Sequence, residues 1–177
     1  MLRIKILTIL LVLGGSTLLW SQKPADTQSE YEAAYKKRIQ KPYLNNVYIP
    51  ADMAEAFAEF NRLIDQDSKQ KFKRVPEDIA ARKLHFSFGR WMTVNWSFYE
   101  GSRFSHYLKQ VGVTHPDDMA RFVIISYHRY LNKKPLDIKD QVIFYQEKRK
   151  AEMEARRAKR TVIHTETRQL QPKGSGN

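Results

Sequence analysis

The sequence predicts an all-α fold, a single compact bundle of about five helices that ends in a long charged helix. Apolar residues recur at the i, i+3, i+4 spacing that places side chains on one face of a helix. Alternating apolar and polar residues, the pattern of a strand, are nearly absent. Only seven glycines and seven prolines occur in 177 residues, which is few for a loop-rich β-protein.

The first predicted helix covers residues 49–65, where Pro50 and Asp52 suit a helix start, and a further turn presents Phe72. Pro76 begins a longer helix that runs to Tyr99. Its apolar residues cover more than half of the circumference, so we expect protein to surround it. The inward-facing residues predicted for the two helices are Met53, Ala56, Phe57, Phe60, Leu63 and Ile64, and Leu84, Phe88, Trp91, Met92, Val94, Trp96, Phe98 and Tyr99.

Two junctions separate the next helices. Gly101 ends the long helix and Ser102 caps the one that follows. Gly112 ends that helix in turn, and Thr114 or His115 caps its successor. The predicted inward stripes are Phe104, Tyr107, Leu108 and Val111, then Met119, Phe122, Val123, Tyr127, Tyr130 and Leu131.

The last predicted helix follows a break at residues 132–135. Its stripe consists of Ile138, Val142 and Tyr145, and Arg149 occupies the next core position. Beyond Arg149 the helix has almost no apolar face. We therefore expect its second half to project as a charged rod supported by i, i+4 ion pairs.

The N-terminus resembles an export signal. A short basic start precedes fifteen uncharged residues, Ile6 to Trp20, whereas about 20 are needed to span a bilayer. We predict a signal peptide at 1–21, with an uncleaved anchor as the alternative, and an exported protein that is periplasmic or secreted. The remaining chain divides into a polar linker or arm at 22–47, with a short helix over Glu30–Gln40 as an option, a helical domain at 48–146, a charged helical extension at 147–162 and a disordered tail at 163–177.

Composition excludes several kinds of chemistry. The chain has no cysteine, so it has no disulfide, thiolate nucleophile or cysteine metal site. The net charge is +12, but the excess lies mostly toward the ends, so we expect no nucleic-acid partner. No pair among the histidines at 85, 106, 115 and 128 has the i, i+4 spacing of a helical zinc site. We therefore expect no metal and no cofactor.

Several short motifs resemble a family of bacterial exported proteins, chiefly from Bacteroidota, that carry a helical domain of unknown function. The motifs are Leu84–Phe86, Gly89, Asn95–Trp96, Gly101–Arg103, His115–Met119 and Tyr127–Asn132. The resemblance covers roughly residues 49–145. One departure is the stretch SFYEG, where the family has a glycine and a tryptophan. The resemblance implies the limits of a domain and no particular activity.

The first candidate site residues lie around the Gly101 junction. Asn95 falls at the centre of the apolar arc, where its amide either makes a structural hydrogen bond or orients a ligand. Ser102 and Arg103 stand at a helix start with His106 one turn later. This arrangement is either a common capping turn or a site for an anion.

The second group lies at the next junction. His115, Asp117 and Asp118 place an imidazole beside two carboxylates. Such a set performs acid–base catalysis when one carboxyl pKa is raised, but a helix N-terminus lowers carboxyl pKa values. Helix capping is therefore the favoured interpretation.

These observations lead to three hypotheses. The first is a non-catalytic module that binds a small anionic ligand or an envelope protein at the end of the bundle where the two junctions meet. The second is an enzyme of unfamiliar type that uses Asp117 or Asp118 with His115. The third is an envelope scaffold that docks through its basic C-terminal helix. Membrane contact is expected only through an uncleaved N-terminal segment.

Overall fold

The helices of this protein are mostly short, and the computed structural model describes them over residues 27–160. Within that range lie α1 (Gln28–Arg38), α2 (Met53–Leu63), α3 (Gln66–Arg74), α4 (Glu77–Leu84), α5 (Arg90–Asn95), α6 (Arg103–Val111), α7 (Pro116–Leu131) and α8 (Ile138–Ala158). A π-helical segment, His85–Gly89, joins α4 to α5. Strands β1 (Tyr43–Leu44) and β2 (Val47–Tyr48) form a small antiparallel hairpin.

The all-α prediction is confirmed, and the helices are more numerous than the five expected. One reason is that polar caps divide the predicted helices. Asp65 accepts a hydrogen bond from the Ser68 amide and starts α3 immediately after α2 ends. The predicted signal peptide and disordered tail lie outside the described residues.

Aromatic side chains form the centre of the core. Trp96 is fully buried, and its ring stacks on Phe60 with a centroid separation of 5.0 Å. Phe104 meets the indole edge-on at 5.2 Å, and Tyr127 of α7 packs against Phe60 at 4.9 Å. Helix α7 crosses this cluster and supplies more buried residues than any other described helix. The core thus joins α2, the chain after α5, α6 and α7.

The single helix predicted from Pro76 to Tyr99 is wrong. Helix α4 ends at Leu84, the π-helical segment follows, and α5 ends at Asn95. The Arg90 amide bonds to the His85 carbonyl, which is the five-residue spacing of a π-turn. The wider turn rotates the later residues relative to a regular helix. Consequently Val94 is 65% exposed, although it was expected to face the core. Tyr99 was also expected inside and is 60% exposed, because it lies in the turn that follows α5.

Other predicted inward residues also reach solvent. Leu63 and Tyr130 are each 46% exposed, because they lie at the edges of their apolar stripes. Tyr130 stacks its ring on Phe57 at 4.8 Å, so its face is covered although its edge is not. On α2 and α7 the centre of the stripe was predicted correctly, and these two edge positions were not.

The segment expected to be a polar linker or arm contains α1 and the hairpin. Helix α1 makes three contacts with α6 and the turn before it, through Tyr35 and Arg38. The Tyr35 hydroxyl lies 3.1 Å from Nδ1 of His106, and Arg38 donates to the Gly101 carbonyl at 3.0 Å. The ammonium of Lys109 lies 5.0 Å from the centre of the Tyr35 ring. Helix α1 therefore packs on the Gly101 turn.

We expect Gly101→Ala to loosen α1. Gly101 has a φ of 92°, and a Cβ there would lie 2.5 Å from the Tyr35 ring. Backbone strain alone costs about 1–3 kcal/mol, and the clash adds to it. Limited proteolysis should cut α1 faster in the variant, and urea unfolding should give the loss in stability.

The Tyr35→Ala background separates the two causes. Without the ring, Gly101→Ala should cost only the backbone strain. An equal cost in both backgrounds would contradict the close contact between α1 and the turn.

Helix α8 is the long charged helix that was predicted, with 21 residues. Tyr145 is buried against the core, whereas nearly every residue from Ala151 to Arg160 is exposed. Over residues 27–160, no helix combines the length and the apolar character needed to cross a membrane.

Candidate functional site

Asn95 makes a local hydrogen bond. Its Nδ2 donates to the Trp91 carbonyl at 2.8 Å, one turn earlier in the same helix. The side chain is half-buried, because the π-helical segment rotates α5 away from the orientation predicted for a regular helix. The bond ties Asn95 to its own helix and not to a loop end, so the structure gives its amide a structural role.

The proposed anion site at the start of α6 is occupied by the protein's own groups. Ser102 is fully buried and forms a capping box with Ser105. Arg103 donates to the Ile49 carbonyl at 2.5 Å and to Glu55 at 3.2 Å. These bonds connect α6 to the chain between β2 and α2.

Two more contacts complete the surroundings of Arg103 and His106. The Arg103 guanidinium lies over the Tyr48 ring at 5.1 Å, and Tyr48 donates to Glu55 at 2.6 Å. That hydrogen bond, the Ala51 amide and Arg103 lower the pKa of Glu55. The His106 ring contacts Tyr35 and Gln110.

Asp118 does not cap α7 as expected. His115 is the N-cap: its Nδ1 accepts from the Asp117 amide at 3.3 Å. The Asp118 side chain instead meets α8, where Lys148 donates to it at 2.8 Å and Arg149 forms a second, very close ion pair. This ion pair explains why Arg149 occupies a core position of α8: it neutralises the Asp118 carboxylate, which is only 1% exposed.

Arg149 also connects Asp118 to His115. Its Nη2 lies 2.9 Å from Nδ1 of His115. The guanidinium and the Asp117 amide can only donate, so Nδ1 is an acceptor and the neutral ring carries its proton on Nε2. Arg149 further bonds to Glu152 at 2.9 Å.

This arrangement disfavours the acid–base hypothesis. Burial alone would raise the pKa of Asp118, but hydrogen bonds and charges from Arg149 and Lys148 outweigh it and hold the pKa below its usual value. A general acid needs the opposite shift. The adjoining cavity between Gly112 and Arg149 has 30 Å³, which is room for about one or two water molecules.

The polar side chains of the two junctions have separate sets of partners. Within residues 27–160, no hydrogen bond or ion pair joins Asn95 or the Arg103 group to the Asp118 group. Arg103 connects to the hairpin and α2, whereas Asp118 connects to α8. The contact between the two junctions is the hydrogen bond from the Tyr99 hydroxyl, two residues before Gly101, to Asp117 at 3.1 Å.

A larger cavity opens elsewhere, between α3, α4, the π-helical segment and α7. Its volume is 410 Å³, and its walls are mostly apolar. This volume lies within the range of about 300–1,000 Å³ that is typical of small-molecule sites. The apolar side chains that line it are Ile64, Phe72, Val75, Leu84, Phe88 and Tyr127.

Local sequence features explain the cavity. Asp65 starts a new helix after α2 ends, so α3 runs in a different direction from α2. The Phe72 ring of α3 then faces the Tyr127 ring, with 5.9 Å between the ring centroids. The π-helical segment carries Phe88, which contacts Phe60 at 4.8 Å and forms the floor. Ala80 has too small a side chain to fill the gap. Five of the lining apolar residues, Ile64, Phe72, Val75, Leu84 and Phe88, remain half-buried because no side chain covers them.

Lysines surround this cavity. Lys69, Lys71 and Lys83 line it together with Ser68, and no carboxylate does. Lys69 is itself buried, with 7% exposure, and its Nζ donates to the Asn61 carbonyl at 3.1 Å. The opening therefore has positive charge beside an apolar interior.

The sequence did not predict this cavity. Leu84, Phe88 and Tyr127 were expected to be fully enclosed in the core, and Phe72 was expected to be the apolar residue of a short additional turn. One signal was available in the sequence. Lysines flank Phe72 on both sides, and Lys83 precedes Leu84. Across residues 27–160, no three histidine, aspartate or glutamate side chains are grouped so as to hold a metal ion.

Comparison with known proteins gives one match. No curated protein and no solved structure matches the chain. A family model matches residues 49–131. This segment contains α2 to α7 and every residue that lines the 410 Å³ cavity, whereas α1 and α8 lie outside it. Residues 49–131 carry a domain of unknown function, DUF6794.

Proposed function

We propose that this protein is a non-catalytic binding module whose ligand site is the cavity between α3, α4 and α7. One observation carries the proposal: an open apolar cavity of 410 Å³ inside the DUF6794 segment. Open apolar walls cost free energy in water, and a ligand that covers them recovers it. A large apolar pocket with a few polar groups is the default small-molecule site of a protein.

The chemistry of the walls supports binding without catalysis. Among the lining residues there is no histidine and no carboxylate that could exchange a proton near neutral pH. Burial, with a smaller effect of Tyr130, raises the pKa of Tyr127 to about 12. Its hydroxyl bonds to Asn61 at 3.0 Å. The Tyr127 hydroxyl therefore stays protonated near neutral pH, and Tyr127 is an uncharged part of the pocket wall.

The π-helical segment adds to this argument. Such segments are rare, and they occur frequently at functional sites. Here the segment contributes Phe88 to the floor of the pocket, and at Gly89 it lies against Ala120 and Ile124 of α7. Its position is thus consistent with a role in shaping the pocket.

Straight-chain alcohols test the proposal without any charge. Each added methylene group should tighten binding about fourfold until the pocket is full, because burying one CH₂ contributes about 0.8 kcal/mol. The measurement is displacement of an uncharged naphthylamine probe whose fluorescence rises in apolar surroundings. Alcohols that displace no probe at any chain length would refute the pocket as a binding site.

Ser68→Trp should abolish this binding by blocking the entrance. Ser68 is exposed and lines the pocket, so the larger side chain closes it without disturbing the core. Ala155→Trp is the matched control, because Ala155 is exposed on α8 and far along the chain from the pocket. Unchanged binding in Ser68→Trp with an unchanged melting temperature would contradict the location of the site.

A further inference from the structure

The charge at the pocket entrance points to the chemical class of the ligand. Lys69 is a buried residue, and its ammonium contacts a neutral carbonyl, that of Asn61 at 3.1 Å. No carboxylate of residues 27–160 forms an ion pair with it. A buried lysine is normally paired with an anion, because taking its charge out of water is costly.

Two more lysines extend the positive edge. Lys71 on α3 and Lys83 on α4 are exposed, line the same pocket and have no ion-pair partner within residues 27–160. The nearest pair on α4 is Arg82 with Asp78, which leaves Lys83 unneutralised. The pocket therefore combines an apolar interior with an uncompensated cationic edge.

We propose that the ligand is a single-chain amphiphile with one carboxylate, a free fatty acid. This inference rests on the proposed function, since it assumes that the same pocket binds a ligand. The alkyl chain would occupy the apolar interior of 410 Å³, and the carboxylate would pair with the lysines at its edge. The volume is close to the lower limit of small-molecule sites, which favours one chain over two.

The charged residues of the lining are all lysines, and they select for a negatively charged head group. The planar fork of arginine, which binds carboxylate and phosphate alike, is absent from the lining. Lysine ammonium groups act as point charges, and three of them are sufficient to neutralise one carboxylate.

Laurate and dodecanol provide the test, because they share a chain length and differ in head-group charge. Both are titrated below micelle formation against the naphthylamine probe bound to the full chain. We expect laurate to bind about tenfold more tightly at low salt, the effect of a few partly exposed ion pairs. At about 1 M salt, where the Debye length is about 3 Å, most of this advantage should disappear.

Lysine variants locate the effect. The double variant Lys71→Gln, Lys83→Gln changes only exposed side chains and should lower laurate affinity at least threefold while leaving dodecanol affinity unchanged. Lys69→Met retains the apolar stem and should remove most of the remaining preference. Lys150→Met, an exposed lysine on α8, is the matched control and should change neither affinity.

Each outcome has one interpretation. Equal affinity for laurate and dodecanol overturns the head-group inference but leaves the binding pocket standing. Failure of both ligands to displace the probe overturns the proposed function as well. Binding to phosphatidylglycerol vesicles, without displacement of the probe by free laurate, overturns the inference in favour of a membrane-surface contact.

Discussion

Replacing Trp96 with alanine is expected to destabilise the protein by about 3–5 kcal/mol, the usual cost of removing a large aromatic side chain from a core. Trp96 is fully buried and lies between Phe60 and Phe104, with ring centroids at 5.0 Å and 5.2 Å. The variant would leave a cavity where three helices meet. Urea unfolding followed by circular dichroism gives the free energy of unfolding of both proteins.

Trp91→Ala is the matched control. Trp91 meets the Trp96 ring edge-on at 5.5 Å, but it is only half-buried. Removing it exposes less apolar surface and leaves an open groove, which water can fill. We expect less than half of the loss seen at Trp96. Equal losses at the two positions would contradict a core centred on Trp96.

The indole nitrogen of Trp96 has no hydrogen-bond partner in the structure. A phenylalanine at this position would remove a buried donor that is unsatisfied, and it would retain most of the apolar contact. We therefore expect Trp96→Phe to cost much less than Trp96→Ala in the same experiment.

Asp118→Asn should be the most damaging change of a single charge, with a loss of about 2–3 kcal/mol. Removing one member of a buried ion pair typically costs about 3–5 kcal/mol. The Lys148 and Arg149 side chains are 30% and 26% exposed, so water can solvate them in part and the loss is smaller. Hydrogen exchange should also show faster opening of α8 relative to α7.

The same pair predicts a pH dependence of defined sign. The pKa of Asp118 is lowered in the folded protein. Its stabilisation is therefore complete above the unfolded pKa of about 3.9, and it is lost as the pH falls through the lower folded value. The stability difference between wild type and Asp118→Asn should be constant at neutral pH and shrink in acid.

Asp117→Asn is the control for position on the helix. Asp117 precedes Asp118 by one residue, so the two lie at almost the same distance from the start of α7. The Asp117 side chain is 44% exposed, and its partners are the Tyr99 hydroxyl at 3.1 Å and the His115 ring. We expect a loss below about 1 kcal/mol. A loss as large as that of Asp118→Asn would assign the effect to the helix dipole and not to the α8 ion pairs.

The hydrophobic spacing predicted the helices well where packing follows a regular helical face. Met53, Phe57 and Phe60 on α2 and Phe104 and Leu108 on α6 are buried as expected. Near neighbours along one helix decide such patterns, so they can be read from one sequence. The N-caps at Asp52 and Ser102 were also readable for this reason, since the cap bonds to a residue three positions later.

The π-helical segment could not be predicted in the same way. It differs from a regular helix by one hydrogen-bond spacing, and its packing against α7 through Gly89 is a long-range contact. After this segment, a wheel drawn at a constant angle assigns the wrong face. Val94 was therefore expected inside, and Asn95 was expected at the centre of the apolar arc.

The candidate sites depended on pairs that are distant in the sequence. Asp118 and Arg149 were each noticed, one as a cap and the other as a charge at a core position, but nothing in the spacing connects two residues 31 positions apart. The pocket has the same origin, because it is bounded by α3, α4 and α7. Local patterns identified its walls as apolar but gave no indication that they remain uncovered.

The ion pairs of Asp118 also hold the middle of α8 against the start of α7. From Arg149 to Ala158 the helix continues for nine residues, a length of about 14 Å at 1.5 Å per residue. A helix clamped at one end behaves as a stiff lever. A fluorophore attached at residue 158 in place of Ala158 should therefore tumble with the whole molecule. In Asp118→Asn the end of α8 should move independently of the rest, and the fluorescence anisotropy of the label should fall.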